Sequence, residues 1–296
     1  MPSSRDASSV VARSPWEGTP LTDREFARLQ AIVREQTGIA LRENKRALVC
    51  ARLGGRLRHH GYTSFSEYCT HLDQRDVDGT ERRCLINAIT TNKTDFFREP
   101  HHFDFLRRVV LPDLAGTAGG PRRLRLWSAG CSTGEEPYSI AMTLLDALPR
   151  GRAHDVRILA SDINTDVLRT AEAGVYGREC LAASPRPLAQ RYFETVAGQP
   201  ALVAVTAAVR ALVTFRRINL CQRPWPIRTQ FDVVFCRNVL IYFDRATQTA
   251  LVDRLLSALV PGGYLFLGHS ESLLGAEKGL RYVGRTVYQK PAGAGR

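Results

Sequence analysis

Paired cysteines, long apolar runs and acidic residues are missing or scarce in this sequence. Its seven cysteines are scattered without a C-x-x-C pair, so neither a disulfide framework nor a zinc or other metal site is indicated. No run of about 18 apolar residues occurs, and the N-terminal stretch lacks the apolar core of a signal peptide. These absences favour a cytoplasmic protein with reduced thiols and no membrane insertion.

Acidic residues are outnumbered by basic ones. The 296 residues include 41 Lys plus Arg against 29 Asp plus Glu, a formal charge of +12. This excess favours an acidic partner, and nucleic acid, an anionic membrane and an acidic protein all remain open at this point. Because 44% of the residues are hydrophobic, disordered and collagen-like classes are poor fits, and one large or two ordinary globular domains are expected.

The N-terminal third is predicted to be helical. Residues 1–18 are small and polar, which favours a disordered leader. Thr22 and Glu25 have the spacing of a capping box, which opens the first helix of an all-helical domain predicted over 19–90. A linker and ligand-covering segment is assigned to 91–121, which ends in the turn-rich string GTAGGP.

From residue 122 to 291 strand-like and helical segments alternate. This alternation predicts an α/β domain whose parallel sheet is covered on both faces and binds ligand at the carboxyl ends of its strands. A Gly-Gln-Pro turn predicts an inserted antiparallel β-subdomain at about 190–212. The predicted strands are 124–127, 156–160, 212–215, 231–235 and 264–267, and the predicted helices are 138–148, 165–173 and 246–259.

A glycine-containing turn follows the first predicted strand, in the string LWSAGCSTGEEPY. Gly130 and Gly134 would let a ligand approach the backbone. Glu135 and Glu136, at the start of the next helix, would repel a phosphate and attract a cationic group such as the ammonium of S-adenosylmethionine. The alternative is an ordinary strand-to-helix turn with acidic residues at the helix start.

Two further strand ends carry polar residues. Asp162 follows the second strand, where it would either accept hydrogen bonds from ribose hydroxyls or only cap the following helix. Arg237 and Asn238 end a buried strand, and of the aromatic pair that follows we assign Tyr242 to the site and Phe243 to the core. The Asn/Asp-Pro-Pro-aromatic sequence of many base-modifying methyltransferases is absent here, which disfavours nucleic acid as the substrate.

The string TTNKTDFFREPHHF precedes the α/β domain. Its polar residues beside Phe96 and Phe97 predict a loop that closes over a ligand. A surface linker is the alternative, but two adjacent phenylalanines need a place to be buried. Further upstream, six basic residues between Arg42 and Arg58 meet one acidic residue, Glu43. This basic stripe is either a solvated helix face or a docking surface.

These strings, together with FDVVFCRNVLIYF and in this order, resemble the CheR-type chemoreceptor glutamate O-methyltransferases over about residues 20–290. The resemblance implies an all-α domain followed by a Rossmann-like class I S-adenosylmethionine methyltransferase domain with a small antiparallel β-subdomain. It further implies methyl transfer to glutamate carboxylates of the acidic methylation helices in the cytoplasmic domain of chemoreceptors. S-adenosylhomocysteine would be the product, and a monomer that binds no nucleic acid is expected.

The resemblance also implies roles for individual residues. Arg98 and Tyr242 match positions at the methyl-transfer point. Glu135 matches the carboxylate that faces the methionine ammonium, with Glu136 as the neighbouring possibility. The cofactor positions implied are Asn92, Thr94, Arg98, Glu135, Asp162, Asn219, Leu220, Arg237 and Asn238, and the docking residues implied are Lys45, Arg46, Arg52, Arg56 and Arg58. The competing functions are a non-catalytic S-adenosylmethionine-binding scaffold and a nucleic-acid methyltransferase.

Overall fold

The computed structural model describes residues 20–115, 122–148, 154–273 and 279–292. The predicted disordered leader and the GTAGGP turn lie outside these residues. Contacts divide the chain into two units: the first takes residues up to Glu35 together with Leu41–Ile89, and the second takes Gln36–Ala40 and the chain from Thr90 onward. The prediction of a helical domain over 19–90 does not anticipate that residues 36–40 group with the second unit.

The first unit consists of helices. The predicted capping box is confirmed: the Glu25 amide donates to Thr22 Oγ1 at 3.3 Å, and the Thr22 amide donates to Glu25 Oε2 at 2.8 Å. The long helices are α1 (Asp23–Thr37, whose last two residues group with the second unit), α2 (Arg46–His60), α3 (Phe65–Gln74) and α4 (Thr80–Ile89). Val49, Leu53 and Leu57 are fully buried on one face of α2, as the helical spacing predicts.

The second unit alternates helices and strands. Its helices are α5 (Pro100–Phe105), which continues through a π-helical turn (Leu106–Val110) into α6 (Leu111–Ala115), α7 (Glu135–Ala147), α8 (Thr165–Ala173), α9 (Arg186–Tyr192), α10 (Ala207–Arg210) and α11 (Arg245–Ala258). Its strands are β1 (Arg122–Ala129), β2 (His154–Asp162), β3 (Val175–Gly177), β4 (Phe193–Val196), β5 (Gln199–Val205), β6 (Val213–Arg217), β7 (Phe231–Cys236), β8 (Leu259–Leu267), β9 (Arg281–Gly284) and β10 (Val287–Gln289). Short 3-10 turns lie at Glu43–Lys45, Arg178–Ala183 and Leu240–Tyr242.

The main sheet has the strand order β6-β2-β1-β7-β8-β10-β9. The first five strands are parallel, and β9 and β10 add an antiparallel hairpin that the sequence patterns did not predict. The chain runs outward from β1 to β6 and then returns to β7 on the other side of β1. The strand order therefore reverses between β1 and β7, which in open α/β sheets is where ligands bind.

Apolar side chains line both faces of the main sheet. Along β1, Leu126 packs in one core cluster and Trp127 in the other, and Phe235 and Cys236 of β7 divide in the same way. Successive strand residues point to opposite faces, so both faces must be covered. The predicted α/β fold is thereby confirmed, with every predicted strand of the sheet present.

A second sheet of three antiparallel strands has the order β3-β5-β4. It confirms an inserted antiparallel subdomain, although β3 at Val175–Gly177 lies before the predicted range of 190–212. Residue 175 pairs with Ala204, a contact across almost 30 residues of sequence that no local turn signals. Across the part of the chain that is described, no helix combines the length and apolar character needed to cross a membrane.

Candidate functional site

Asp162 ends β2 with its carboxylate turned toward the neighbouring loop. Its Oδ2 accepts a hydrogen bond from the Ser132 amide and its Oδ1 from the Asn164 amide, both at 2.9 Å. The alternative role as a helix cap is wrong, because the side chain of Asn164 caps α8 by accepting from the amides of Asp166 and Val167. Burial raises the pKa of Asp162, so the backbone donors around it are needed to keep the carboxylate ionised.

The two glycines of the turn after β1 are required by packing. Gly134 has a φ of +100°, and a Cβ there would lie 2.9 Å from Ala171 Cβ and from Tyr176 Oη. A Cβ on Gly130 would lie 2.5 Å from Val239 Cγ2. Both positions exclude larger residues because protein atoms fill the space, a reason that the sequence prediction did not include.

The two glutamates at the start of α7 have different surroundings. Glu136 accepts from Ser128 Oγ at 2.7 Å and pairs with Arg237 Nη1 at 3.1 Å. The half-buried Glu135 accepts from Thr133 Oγ1, and within the described residues no basic side chain pairs with it. Burial raises the pKa of Glu135. Of the two, Glu135 is the carboxylate left for an external cation.

Residues 90–99, here called the strap, cross the carboxyl ends of three strands. Asn164 Nδ2, after β2, donates to Thr90 Oγ1 at 2.8 Å, and Ser132 Oγ, after β1, donates to the Asn92 carbonyl at 2.7 Å. Tyr242 Oη, after β7, donates to the Thr91 carbonyl at 3.4 Å. The strap therefore joins the loops on both sides of the point where the strand order reverses.

Two phenylalanines fix the strap to the α/β unit. Phe96 is 1% exposed and Phe97 5% exposed. Phe96 packs edge-on against Tyr176 and Phe193, with ring centroids 5.0 Å apart in each pair. The surface-linker alternative is therefore wrong for this segment. Beside them, Thr94 and Arg98 are half-buried, and Arg98 Nη1 donates to the Lys93 carbonyl at 2.9 Å.

Asn219 and Leu220 follow β6. Asn219 Nδ2 donates to the Gln36 carbonyl at 2.6 Å, while its Oδ1 accepts from the Cys221 amide at 2.9 Å. Both ends of this side-chain amide are thus used within the protein, and Leu220 is buried in a core cluster. If this pair contacts a ligand, its backbone groups and the apolar Leu220 surface are what it can offer.

Arg237 and Asn238 follow β7. The Arg237 side chain is 2% exposed and pairs with Glu99 and Glu136, so its guanidinium is directed into the protein. Asn238 adopts a left-handed backbone with a φ of +58°. Tyr242 is half-buried, whereas Phe243 lies in the core as predicted.

The sequence prediction missed Glu271, a buried carboxylate in the loop after β8. It accepts from the amides of Gly268 at 2.7 Å, Asn238 at 2.8 Å and Ile241 at 3.3 Å. Glu271 thereby ties the loop after β7 to the loop after β8. Its place in the string HSESL gave no local signal, because all but one of its partners lie about 30 residues away.

The five predicted docking residues of the first unit fall into two groups. Lys45 and Arg58 are exposed. The other three also bond within this unit: Arg46 to Asp23 and the Leu21 carbonyl, Arg52 to the Ile89 carbonyl, and Arg56 to the buried Glu81. The basic stripe is therefore partly a set of structural contacts.

Comparison with known proteins matches both units. The family description "CheR methyltransferase, all-alpha domain" matches residues 24–90, and "CheR methyltransferase, SAM binding domain" matches residues 92–289. The chain is 46% identical over 268 residues to chemotaxis protein methyltransferase 2 of Pseudomonas aeruginosa. The alignment covers 90% of this chain and 93% of that protein. It is 41% identical over 285 residues to the chemotaxis protein methyltransferase of Klebsiella aerogenes, with coverage of 96% and 95%.

Two findings define the class of this protein: the α/β sheet that ends in an antiparallel hairpin, and the match to the SAM-binding domain. It is an S-adenosylmethionine-dependent methyltransferase of class I fold. The chain belongs to the CheR methyltransferase family.

Proposed function

We propose that this protein transfers a methyl group from S-adenosylmethionine to glutamate side chains of chemoreceptors. The products would be glutamate methyl esters and S-adenosylhomocysteine, and the modification would serve sensory adaptation. Relatives at 46% and 41% identity are named chemotaxis protein methyltransferases. The proposed setting is the cytoplasm, with the protein acting as a monomer on the acidic methylation helices of the receptor.

One observation carries the proposal: the strap spans the carboxyl ends of β1, β2 and β7, where Glu135 and Asp162 lie. Two carboxylates at this edge suit a ligand that has an ammonium at one end and ribose hydroxyls at the other. Glu135 has no basic partner in the described chain and can face the ammonium. Asp162 uses one lone pair of each oxygen for backbone amides, and a carboxylate oxygen has two.

The cofactor supplies an electrophilic methyl group on a sulfonium. The nucleophile is a substrate carboxylate that is already ionised at neutral pH, since the reference pKa of Glu is about 4.3, so no general base is required. What the chain's own residues supply is orientation and electrostatics. In this proposal Arg98 orients the substrate carboxylate through its planar guanidinium, and Tyr242 donates a hydrogen bond or shapes the pocket for the methyl group.

The remaining predicted cofactor residues have supporting parts in this proposal. Asn92 and Thr94 belong to the strap, Asn219 and Leu220 form the adenine side, and the backbone of Arg237 and Asn238 closes the site after β7. A dry site favours the reaction, because charges of opposite sign are neutralised as the methyl group moves. The buried phenylalanines of the strap support such exclusion of water.

The decisive experiment is methyl transfer from radiolabelled S-adenosylmethionine to receptor cytoplasmic domains. Label on receptor protein that is released as methanol in base identifies a glutamate methyl ester. Binding of S-adenosylmethionine without transfer to any receptor would support the scaffold function instead. Transfer to nucleic acid, under conditions that leave receptors unlabelled, would overturn the proposal in favour of the third candidate.

A further inference from the structure

Glu99 lies where the strap ends and α5 begins. Its φ is +58°, in the left-handed region that residues with a Cβ rarely adopt. A residue in this conformation costs free energy and persists only where its surroundings hold it there. The contacts of the Glu99 side chain hold the residue in this conformation.

The Glu99 carboxylate joins three other segments. Oε2 lies 3.1 Å from Arg237 Nη2, after β7, and 3.4 Å from His102 Nδ1, in α5. Oε1 lies 2.9 Å from His269 Nδ1, after β8, and the His269 amide donates to Oε2 at 3.2 Å. Asn238 Nδ2 donates to Oε1 at 3.5 Å. One side chain thus connects the end of the strap to the loops after β7 and β8.

Arg237 completes the connection to the strap. Its Nη2 donates to the Arg98 carbonyl at 2.6 Å, and its Nη1 reaches Glu136 on α7 at 3.1 Å. With 2% of its side chain exposed, this guanidinium is directed into the protein, where Nη1 and Nη2 have two carboxylates and a carbonyl as partners. The residue immediately before Glu99 is Arg98, the proposed orienter of the substrate carboxylate. One buried cation, Arg237, therefore contacts both residues of the Arg98–Glu99 peptide: the carbonyl of Arg98 and the carboxylate of Glu99.

We propose that Glu99 and Arg237 form an ionic latch that positions Arg98 for methyl transfer, and that neither side chain contacts cofactor or substrate. This inference rests on the proposed function, because it assigns to the latch the orientation of Arg98. The latch holds the Arg98–Glu99 peptide, which directly follows the Arg98 Cα, and so restricts the direction in which the Arg98 side chain leaves the backbone. Misplacement by about 1 Å can cost about a hundredfold in rate, which is the scale on which the latch acts.

Glu99→Gln is the variant of choice. It keeps the shape of the side chain and leaves Arg237 its partner Glu136, whereas loss of Arg237 would leave two buried carboxylates without a counter-charge. The test is a double-mutant cycle of Glu99→Gln and Arg98→Ala, measured as kcat and KM for methyl transfer. Glu172→Gln, on the exposed side of α8, is the matched control.

If the latch acts through Arg98, Glu99→Gln lowers kcat by about tenfold to a hundredfold in the wild-type background, with KM for S-adenosylmethionine almost unchanged. In the Arg98→Ala background the same change has less than about a twofold effect, because there is no side chain left to position. A loss of equal size in both backgrounds would show an effect independent of Arg98 and would overturn the proposal.

A second readout does not depend on activity. In Glu99→Gln the backbone amides of residues 93–99 should exchange hydrogen for deuterium faster than in the wild type, while α11 exchanges at the same rate. Unaltered exchange in the strap would refute the latch even if the rate had fallen. Failure of the wild type to methylate any receptor would count against the proposed function alone, since exchange still decides whether Glu99 holds the strap.

Discussion

Asp162 holds two loops of the fold together, and we propose that the same side chain also serves a ligand. Its two backbone bonds hold the turn that carries Ser132 and the start of α8 that carries Asn164. The sequence left the choice between a ribose contact and a helix cap open. The structure excludes the helix-cap role, because the side chain of Asn164 caps α8. Each carboxylate oxygen of Asp162 accepts one backbone amide and keeps a second lone pair, which the proposed ribose contact would use.

We expect Asp162→Ala to weaken binding of S-adenosylmethionine by at least about tenfold. Hydrogen bonds to a charged group contribute about 1.5–3 kcal/mol each, and the variant loses those to the ligand as well as the support of the turn. Isothermal titration calorimetry measures the change. Asp155→Ala, at the exposed start of β2, should bind as the wild type does, and an unchanged Kd for Asp162→Ala would remove this residue from the ribose.

Arg98→Ala should act on turnover far more than on cofactor binding. Loss of one oriented donor at a reacting centre costs about a hundredfold or more in kcat. Arg98→Lys should recover only part of the rate, because an ammonium lacks the planar fork of the guanidinium. Initial rates with receptor substrate give the result, with Arg169→Ala on the exposed face of α8 as the control. Methylation near the wild-type rate by Arg98→Ala would refute its role.

Among the elements, α2 and α4 are joined by a buried carboxylate. Glu81 accepts from Arg56 Nε at 2.9 Å and from Tyr68 Oη at 2.8 Å, and His60 Nε2 lies 2.9 Å away. Burial opposes ionisation of this carboxyl, but the hydrogen bonds from Arg56, His60 and Tyr68 outweigh it and lower the pKa of Glu81 to about 2. The Arg56 of the basic stripe is therefore part of the helix packing.

This carboxylate makes the stability of the helical unit depend on pH. Because its pKa is lower in the folded than in the unfolded chain, its contribution is complete above the unfolded value near 4.5 and is lost as the pH falls toward about 2. Glu81→Gln should thus destabilise α2 and α4 at pH 7 and have a smaller effect at pH 3. Hydrogen exchange of the amides in these two helices, corrected for the intrinsic exchange rates, measures the effect at pH 7 and at pH 3. An equal effect at the two pH values would contradict the ionic origin.

Local patterns predicted most elements but not the contacts between them. Helical spacing located α2, and alternating segments located the five parallel strands, because each pattern is complete within about 10 residues. The side-chain partners of Glu81 lie 13 to 25 residues away and those of Arg237 more than 100, while two of the three partners of Glu271 lie about 30 residues away, so nothing local marks these contacts. The short strands β3, β9 and β10 were missed or misplaced for the same reason: three or four residues carry too little periodicity.

At the scale of the whole molecule, only part of the charge of +12 lies on surface groups that could meet a partner. Several arginines that contribute to it are bound to carboxylates or carbonyls inside the units, as Arg56, Arg52 and Arg237 are. Of the predicted stripe, Lys45 and Arg58 lie on the surface, and these are the groups that the proposed acidic receptor would meet.

Reversing both of these charges, Lys45→Glu with Arg58→Glu, should slow receptor methylation several-fold at low salt. The loss should shrink as salt rises toward about 1 M, where screening reaches about 3 Å. The control is the same charge reversal at Arg169 and Arg186, which are exposed in the second unit. Initial rates of methylation across a salt series measure the effect of both pairs. Equal slowing by both pairs would show that net charge, and not the stripe, sets the rate.

The short segment Gln36–Ala40 bears on how this family can be divided and recombined. It lies between two parts of the helical unit, yet the Ala40 amide donates to the Tyr242 carbonyl, Ile39 bridges to Phe243, and the Gln36 carbonyl accepts from Asn219. The chain passes between the units three times, so cutting it once near residue 90 would not separate them cleanly. Chimeras that exchange whole N-terminal domains between relatives would also replace a piece of the methyltransferase unit, and compatible pairs must keep the side-chain contact of Asn219 as well as the junction.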